Sequence, residues 1–309
     1  MRKTMNSKLV VSFILFVSLV CAPLFGQSVR ETVHEDLPAF HTIELGGDFA
    51  LDIEYGKQYR MRLSVEELFA DYVMFSALDS TLAVTLDERR VPTEVRRLFR
   101  GKEAPVFRVS VTMPETLRSL ELDGRSVLLS ADDLVVDPDS FELRVTDNAR
   151  VASLAFGSGR VALTLDKKAD VDMSVTCDSL SVSLAGTADL DLTHHTQVSA
   201  FETSGSSTLA VKGETGLLKL NSRGFSKSIL NGEAPVVRYK LANSSQVNAT
   251  LLEAKRAFVE MSGLGSLTQA ASEELSVDLS AGATVYFLND PAIRVIYLKN
   301  ASLIPYDRK

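Results

Sequence analysis

The sequence contains no tryptophan and only two cysteines, Cys21 and Cys177. Cys21 lies in an N-terminal segment that we expect to be removed, which leaves Cys177 without an intramolecular partner. An exported protein without disulfides has to be stabilised by packing rather than by cross-links. The absence of tryptophan also weakens the case for a site that stacks on sugar rings.

Positive charge is scarce as well, since 33 lysines and arginines stand against 40 aspartates and glutamates, for a net charge of −7. Removal of residues 1–26 takes away three positive charges and no negative ones, so the net charge falls by three, to −10. A surface of this sign repels nucleic-acid phosphates and anionic lipid headgroups. We therefore expect no nucleic-acid partner.

The N-terminus carries an apolar stretch, Leu9–Val20, of 12 residues behind three basic ones. Such a stretch is too short to span a bilayer, and the pattern is that of a secretory signal. The sequence predicts a signal peptide over 1–26 and a mature protein that starts near Gln27. We expect export to the periplasm, the outer-membrane surface or the outside, with no stable membrane span. Lipoprotein anchoring through Cys21 is the disfavoured alternative, because Val20 stands where a small residue is required.

The segment from about Leu180 to Leu303 repeats every 18 to 20 residues. Each repeat has three apolar residues at alternating positions, then five mostly small residues, then one apolar anchor. A fixed period near 20 with strand alternation inside it is the signature of a solenoid. The anchors are Leu190, Leu209, Ile229, Val247, Leu267, Val285 and Leu303.

Strand alternation assigns residues of each repeat to the interior or to the surface. Val259 and Val277 are expected to point inward, one directly above the other in adjacent coils. Polar residues at the intervening positions are expected to face outward and to give outer faces of mixed charge. They are Ser181, Ser183, Lys219, Arg238, Lys240, Glu260, Ser276, Asp278 and Arg294.

The other segments are assigned around this repeat. Residues 27–39 are polar and are expected to be a tether without structure of its own. Residues 40–115 are expected to form a cap of first strands, with a short helix that starts at a capping box over 64–67. Residues 116–309 are expected to form β-helix coils. The tail 304–309 is expected to fold over the last coil and to keep the protein monomeric, since its proline and charges disfavour further stacking.

Residues 87–105 are unusually basic for this acidic chain. Behind Pro92, the apolar residues Val95, Leu98 and Phe99 fall on one helical face. One interpretation is a docking helix for an anionic partner. The other, which we favour, is a solvated insertion that packs its apolar residues against the solenoid. The basic residues are Arg89, Arg90, Arg96, Arg97, Arg100 and Lys102.

Several short motifs follow one another in a characteristic order: Phe-His-Thr-Ile-Glu-Leu at 40–45, Ser-Thr-Leu-Ala-Val at 80–84, Val-Thr-Met-Pro at 111–114 and recurrent Ser-Gly-Ser corners. This order resembles the auto-transporter adhesin head GIN-domain family of bacterial cell-envelope proteins. Near the end that family tends to show Tyr-x-Gly-x-Pro, where this chain has Phe-Leu-Asn-Asp-Pro at 287–291.

The resemblance runs to about Leu303 and implies an all-β fold, a right-handed, three-sided parallel β-helix. In this chain an N-terminal cap of short strands and a short helix would precede it. The family has no established activity, so the resemblance implies no catalytic residues. Its adhesin label is an analogy from fold and location.

Carboxylates are one candidate for chemistry, because many catalytic β-helices cluster them on one outer face. The nearest such group is Asp166, Asp170, Asp172 and Asp178. Asp170 and Asp172 lie two apart on one strand, so we expect both simply to face water.

The histidines do not suggest a metal site. His194 and His195 are neighbours on a strand and point to opposite faces, so they cannot share a metal. His34 and His41 lie far away, near the tether. No metal or cofactor is expected.

No nucleophile constellation is recognisable either. The Gly-x-Ser-x-Gly elbow is absent, and Cys177 has no basic neighbour to lower the pKa of its thiol. The glycines at 157 and 159 are too close together for a phosphate loop. Corner serines could form a hydroxyl ladder for sugars, but serine is also favoured in tight turns because it bonds its own backbone.

These observations leave two hypotheses. The first is a non-enzymatic, exported binding or structural module that displays one flat solenoid face to a cell-envelope protein or glycan. The second is a polysaccharide lyase or hydrolase, which needs converging carboxylates in a groove. A vertical row of acids with aromatics beside it would favour the second.

We predict that Cys21 carries no lipid and that the mature protein starts near Gln27. Mass spectrometry of the protein from a native host checks this. A diacylglyceryl-modified N-terminal cysteine would refute the prediction.

Overall fold

The computed structural model describes residues 28–99, 105, 107–130 and 135–306. The predicted signal peptide over 1–26, including Cys21, lies outside the described residues. So do Arg100 and Lys102 of the basic insertion and residues 307–309 of the tail.

Strands dominate the described chain. The first ten are β1 (Val29–His34), β2 (Thr42–Gly47), β3 (Ala50–Tyr55), β4 (Arg60–Glu66), β5 (Val73–Leu78), β6 (Thr81–Leu86), β7 (Phe107–Met113), β8 (Ser119–Gly124), β9 (Val127–Ser130) and β10 (Ser140–Val145). The others are β11 (Arg150–Leu165), β12 (Asp170–Leu184), β13 (Asp189–Thr203), β14 (Thr208–Ser222), β15 (Lys227–Glu233), β16 (Val236–Ala242), β17 (Gln246–Ser262), β18 (Ser266–Ser280), β19 (Thr284–Leu288), β20 (Ala292–Lys299) and β21 (Ser302–Pro305). The helices are a 3-10 helix, Glu67–Tyr72, and α1, Thr93–Leu98.

The long strands bend once, and each side of the bend pairs with the equivalent side of the next coil. In β13 the buried alternation reverses at Gln197 and Val198, which are consecutive and both point outward. We call the run before this bend, Asp189–Thr196 in β13, face 1, and the run after it, Val198–Thr203, face 2. Both runs pair parallel and in register with β14. The chain is a β-solenoid of about 10 turns, which confirms the expected all-β, parallel β-helix class.

The two faces stack in a fixed order. Face 2 runs through β5, β6, β2, β8 and β10, then the second halves of β11 to β14, then β16, the second halves of β17 and β18, and β20. Face 1 runs through β1, β4, β7, β3 and β9, then the first halves of β11 to β14, then β15, the first halves of β17 and β18, β19 and β21.

The corner between coils explains the small residues of the repeat. In most coils one residue there has a left-handed backbone, as Gly205 does with φ of 73°. A Cβ at Gly205 would lie 2.5 Å from the carbonyl oxygen of Gly186 in the preceding coil, so glycine suits this close approach. Two residues further on, a column of buried alanines and serines fills the narrow inside of the corner. It includes Ala149, Ala169, Ala188, Ser207, Ser226 and Ser245.

One predicted anchor is wrong. The residue that pairs with Leu209 and Val247 is Ser228, which is buried, whereas Ile229 is exposed. Successive residues of a strand point to opposite faces, so the error of one position moves the side chain from the core to the surface. The inward stacking of Val259 on Val277 is confirmed.

The N-terminal end is closed by antiparallel strands. β4 pairs antiparallel with β7 and β1, and β5 pairs antiparallel with β6. The prediction that the tether lacks structure is therefore wrong for β1, because its backbone pairs with β4. The short helix is confirmed, but as a 3-10 helix beginning at Glu67; Ser64 belongs to β4, and no side chain caps the helix. Tertiary pairing of the strand outweighs the local capping pattern here.

The basic insertion packs most of its apolar residues against the solenoid, which is the interpretation that the sequence favours. Val95 and Phe99 of the α1 region pack against the core, and the Phe99 ring lies 5.4 Å from the Phe69 ring. Leu98 instead is exposed. Neither helix of the described chain is long and apolar enough to cross a membrane.

The C-terminal end differs from the predicted cap. Ile304 and Pro305 do not fold over the last coil; they lie in β21, which extends face 1 by pairing with β19. The inward positions of β20 remain largely open, with Ile293, Val295 and Leu298 between 44% and 51% exposed. Among the described residues, nothing covers these side chains.

We predict that Val277→Asp and Val295→Asp differ sharply in stability, although the two valines are paired neighbours. Val277 is fully buried, so an unpaired charge there should cost about 4 kcal/mol. Val295 is 51% exposed, and its substitution should cost less than about 1 kcal/mol. Chemical unfolding of both variants measures the difference. Equal losses would contradict this register.

Candidate functional site

The candidate site is a groove of about 490 Å³ on the outside of face 2, formed by β13, β14, β16, β17, β18 and β20. We call it the wall groove. Its floor consists of the outward side chains of two neighbouring columns, because alternate residues of stacked strands project from the same side. The first column is Ala200, Lys219, Arg238, Phe258 and Ser276, and the second is Glu202, Asn221, Lys240, Glu260 and Asp278.

A bulge in the last strand shapes one end of the groove. Val295 pairs with Val277 and Tyr297 pairs with Asp278, so Ile296 between them has no pairing partner. Ile296 is 64% exposed and lines the groove. A bulge of this kind re-aims one side chain without disturbing the coils below it.

Arg238 and Phe258 form the centre of the first column. The guanidinium carbon of Arg238 lies 4.9 Å from the centroid of the Phe258 ring, in cation–π geometry. Within the described residues, Arg238 has no ion-pair partner, and neither has Lys219 in the adjacent coil. Arg238 therefore stands unneutralised against an aromatic ring, and Lys219, also unneutralised, occupies the paired position in the adjacent coil.

The second column carries the acids. The Lys240 ammonium lies 3.2 Å from a carboxylate oxygen of Glu260. Glu202 and Asp278 make no ion pair with any described residue. The groove thus presents hydrogen-bond acceptors along one side and free cations along the other.

The aspartates singled out from the sequence lie elsewhere. Asp170 and Asp172 face water, as expected, and the adjacent strand places Asp189 and Asp191 beside them. Burial, and then the charges of Asp170 and Asp191, raise the pKa of Asp189. The described residues hold no cluster of three or more histidine, cysteine or acidic side chains that could bind a metal ion.

Asp166 and Asp178 lie at bends of the chain, where each carboxylate accepts a hydrogen bond. A carboxylate oxygen of Asp166 accepts a hydrogen bond from the Lys167 backbone N–H at 2.7 Å. Asp178 accepts one from the Gln197 side-chain amide at 2.8 Å. Neither residue faces the wall groove.

The adjacent histidines point to opposite sides, as predicted. His195 is exposed, with Nδ1 3.4 Å from a Glu214 carboxylate oxygen. His194 is buried, and its Nδ1 lies 3.2 Å from the Thr196 hydroxyl and 3.3 Å from the Ser199 hydroxyl. Burial, and to a lesser degree the charge of His195, lowers the pKa of His194 to about 4.

Cys177 is a free, buried cysteine. Burial, and then the charge of Asp178, raises the pKa of its thiol to about 11. The thiolate is the reactive form of cysteine, so this environment suppresses nucleophilic chemistry.

The sequence predicts six of the groove residues on the surface, of which Ser276 is in fact buried, and it does not single out Phe258 or Ile296. Phe258 was detectable, because an aromatic residue occupies an outward position between Ala257 and Val259. Ile296 was not, since the register shift that exposes it has no sequence signal.

The model of the family described as "Putative auto-transporter adhesin, head GIN domain" matches residues 39–210 and, in a second match, 193–291. No curated protein matches the chain. Among solved structures, similar ones are a putative adhesin from Parabacteroides merdae (12% identity, TM-score 0.48) and a putative adhesin from Parabacteroides distasonis (13%, 0.48). A third is a putative lipid binding protein from Parabacteroides distasonis (13%, 0.49). Each alignment covers 90% of this chain, and 96%, 97% and 97% of the other chains, respectively.

We predict that His194 makes the protein less stable as the pH falls. The unfolded chain takes up the histidine proton near pH 6.5, whereas the folded chain resists it down to about pH 4. Stability should therefore fall by about 3 kcal/mol between pH 7 and pH 4 on this account.

Urea unfolding of the wild type and of His194→Val at both pH values isolates this contribution, and His195→Ala serves as the exposed control. The drop in stability should shrink in His194→Val and largely persist in His195→Ala, because the charge of His195 contributes less than burial to the lowered pKa of His194. A drop of the same size in all three proteins would contradict the assignment.

Proposed function

The chain belongs to the auto-transporter adhesin head GIN-domain family, and on that premise we propose that it is a non-enzymatic, exported binding module of the bacterial cell envelope. The N-terminal pattern of basic residues and a short apolar stretch supports export through a signal peptide. The partner is a cell-envelope protein or glycan that lies against the outside of the solenoid.

The wall groove is the observation that carries this proposal. Outward positions of a β-solenoid are not needed for the core, so most of them are small or polar. In the wall groove an aromatic ring, two unneutralised cations and three acids are instead gathered over adjacent coils. Concave sites with a few convergent polar groups are where ligands bind most often.

The alternative, a polysaccharide hydrolase or lyase, draws support from Glu260 and Asp278. They occupy paired positions of adjacent strands, and Phe258 lies beside them. Glycosidases use two carboxylates, one of which must be protonated to act as the acid. Glu260 is already engaged by the Lys240 ammonium at 3.2 Å, which supports binding over catalysis.

The test is a binding screen of the mature protein against immobilised envelope glycans and purified envelope proteins. Phe258→Ala removes the ring beneath Arg238 and should weaken binding of the retained ligand by tenfold or more. Phe225→Ala is the control, because Phe225 is an exposed phenylalanine outside the groove. Equal binding by the wild type and Phe258→Ala would overturn the groove as the site.

The same incubations are read for newly released reducing ends and for unsaturated products. We expect neither to rise above the level of a protein-free blank. Product formation that is lost in Asp278→Asn would favour the enzymatic alternative.

A further inference from the structure

We propose that the wall groove recognises an acidic glycan, one whose sugars carry single carboxylates among free hydroxyls. This inference rests on the proposed binding function and names its ligand class. Its starting point is the pair of unneutralised cations, Lys219 and Arg238, in an otherwise acidic protein.

The Arg238 guanidinium is positioned to bind an oxyanion. The Phe258 ring supports the face of its guanidinium, and no described residue accepts a hydrogen bond from its N–H groups. A planar guanidinium offers a fork of donors that matches a carboxylate or a phosphate in two parallel hydrogen bonds. Lys219 occupies the paired position of the next coil, about 4.8 Å away along the solenoid.

The remaining charges distinguish between these oxyanions. The groove's charged residues number three acids and three bases, so their formal charges cancel: Glu202, Glu260, Asp278, Lys219, Arg238 and Lys240. A densely charged ligand such as a polyphosphate or a heavily sulfated glycan would be repelled by the acids. A glycan with one carboxylate per sugar carries fewer charges over the same length, and its hydroxyls can donate to these same carboxylates and to the Asn221 amide oxygen.

The backbone argues against an acidic peptide. Among the described residues β20 pairs only with β18, at one end of the groove, whereas β14, β16, β17 and β18 are each paired on both sides within face 2, so no strand edge is free along the floor of the groove. A peptide laid there would leave its own N–H and C=O groups without backbone partners, which is the main source of affinity in strand addition. A glycan has no such requirement, since side chains alone satisfy its hydroxyls.

The experiment compares an oligogalacturonate with its fully methyl-esterified form, which keeps the sugar backbone and removes the charge. Isothermal titration calorimetry of the mature protein should show binding of the acid and at least tenfold weaker binding of the ester. Arg238→Gln and Lys219→Gln should each weaken binding of the acid by about tenfold or more, since each removes a charge-assisted contact. Lys227→Gln, an exposed lysine on face 1, should have no effect.

The outcomes separate the ligand class from the groove itself. If acid and ester bind equally and both are lost in Phe258→Ala, the groove is the site but charge does not select its ligand. If poly-glutamate binds through Phe258 and neither glycan does, the glycan class is wrong and the binding function stands. If the acid binds equally well to Phe258→Ala and Arg238→Gln, both proposals fall. Unchanged unfolding midpoints of the variants show that any loss of binding is local.

Discussion

In-register parallel pairing between successive coils is the constraint on which the rest of this structure depends. Each strand must place its residues directly beside those of the coil before it. A residue inserted within a face would therefore move the later side chains of that strand from the core to the surface, and the reverse. Extra residues are tolerated where the pairing is interrupted, as at the bulge of Ile296 and at the register shift in β17 after Ala249. The corner column of alanines and serines follows from the same constraint, because each corner must nest in the one below.

This constraint also decides what could be predicted from the sequence. The alternating triplets predicted inward residues such as Val259 and Val277, because a period of two is insensitive to the exact length of a coil. Anchors predicted from the length of the repeat were less reliable. Ile229 is wrong because the spacing of that coil is one residue shorter than assumed. The two ends were the least predictable parts. β1 and β21 owe their conformation to long-range pairing, and no local pattern encodes it.

The candidate site could be predicted only in part. Lys219, Arg238 and Lys240 were placed outside by alternation alone, but their convergence depends on which coils lie side by side. Arg238 and Phe258 are twenty residues apart in the sequence and meet because their positions are paired. The conspicuous aspartates and histidines proved to be solvated or buried instead. In a solenoid a site is assembled from residues of adjacent coils, and their spacing along the sequence does not show which of them become neighbours.

The exposed inward side chains of β20, in the last coil of the described chain, make the stability of the described coils unequal from one end to the other. Each coil of such an array is held only by its immediate neighbours, so a coil with one neighbour frays before those with two. The antiparallel strands protect one end, and fraying should start from β20 and β21. The wall groove reaches Ile296 in this last coil, so a ligand that fills it spans from the fraying end to β13. A bound ligand would contact several coils at once, whereas each coil otherwise contacts only its immediate neighbours, and it would therefore stabilise the fraying end.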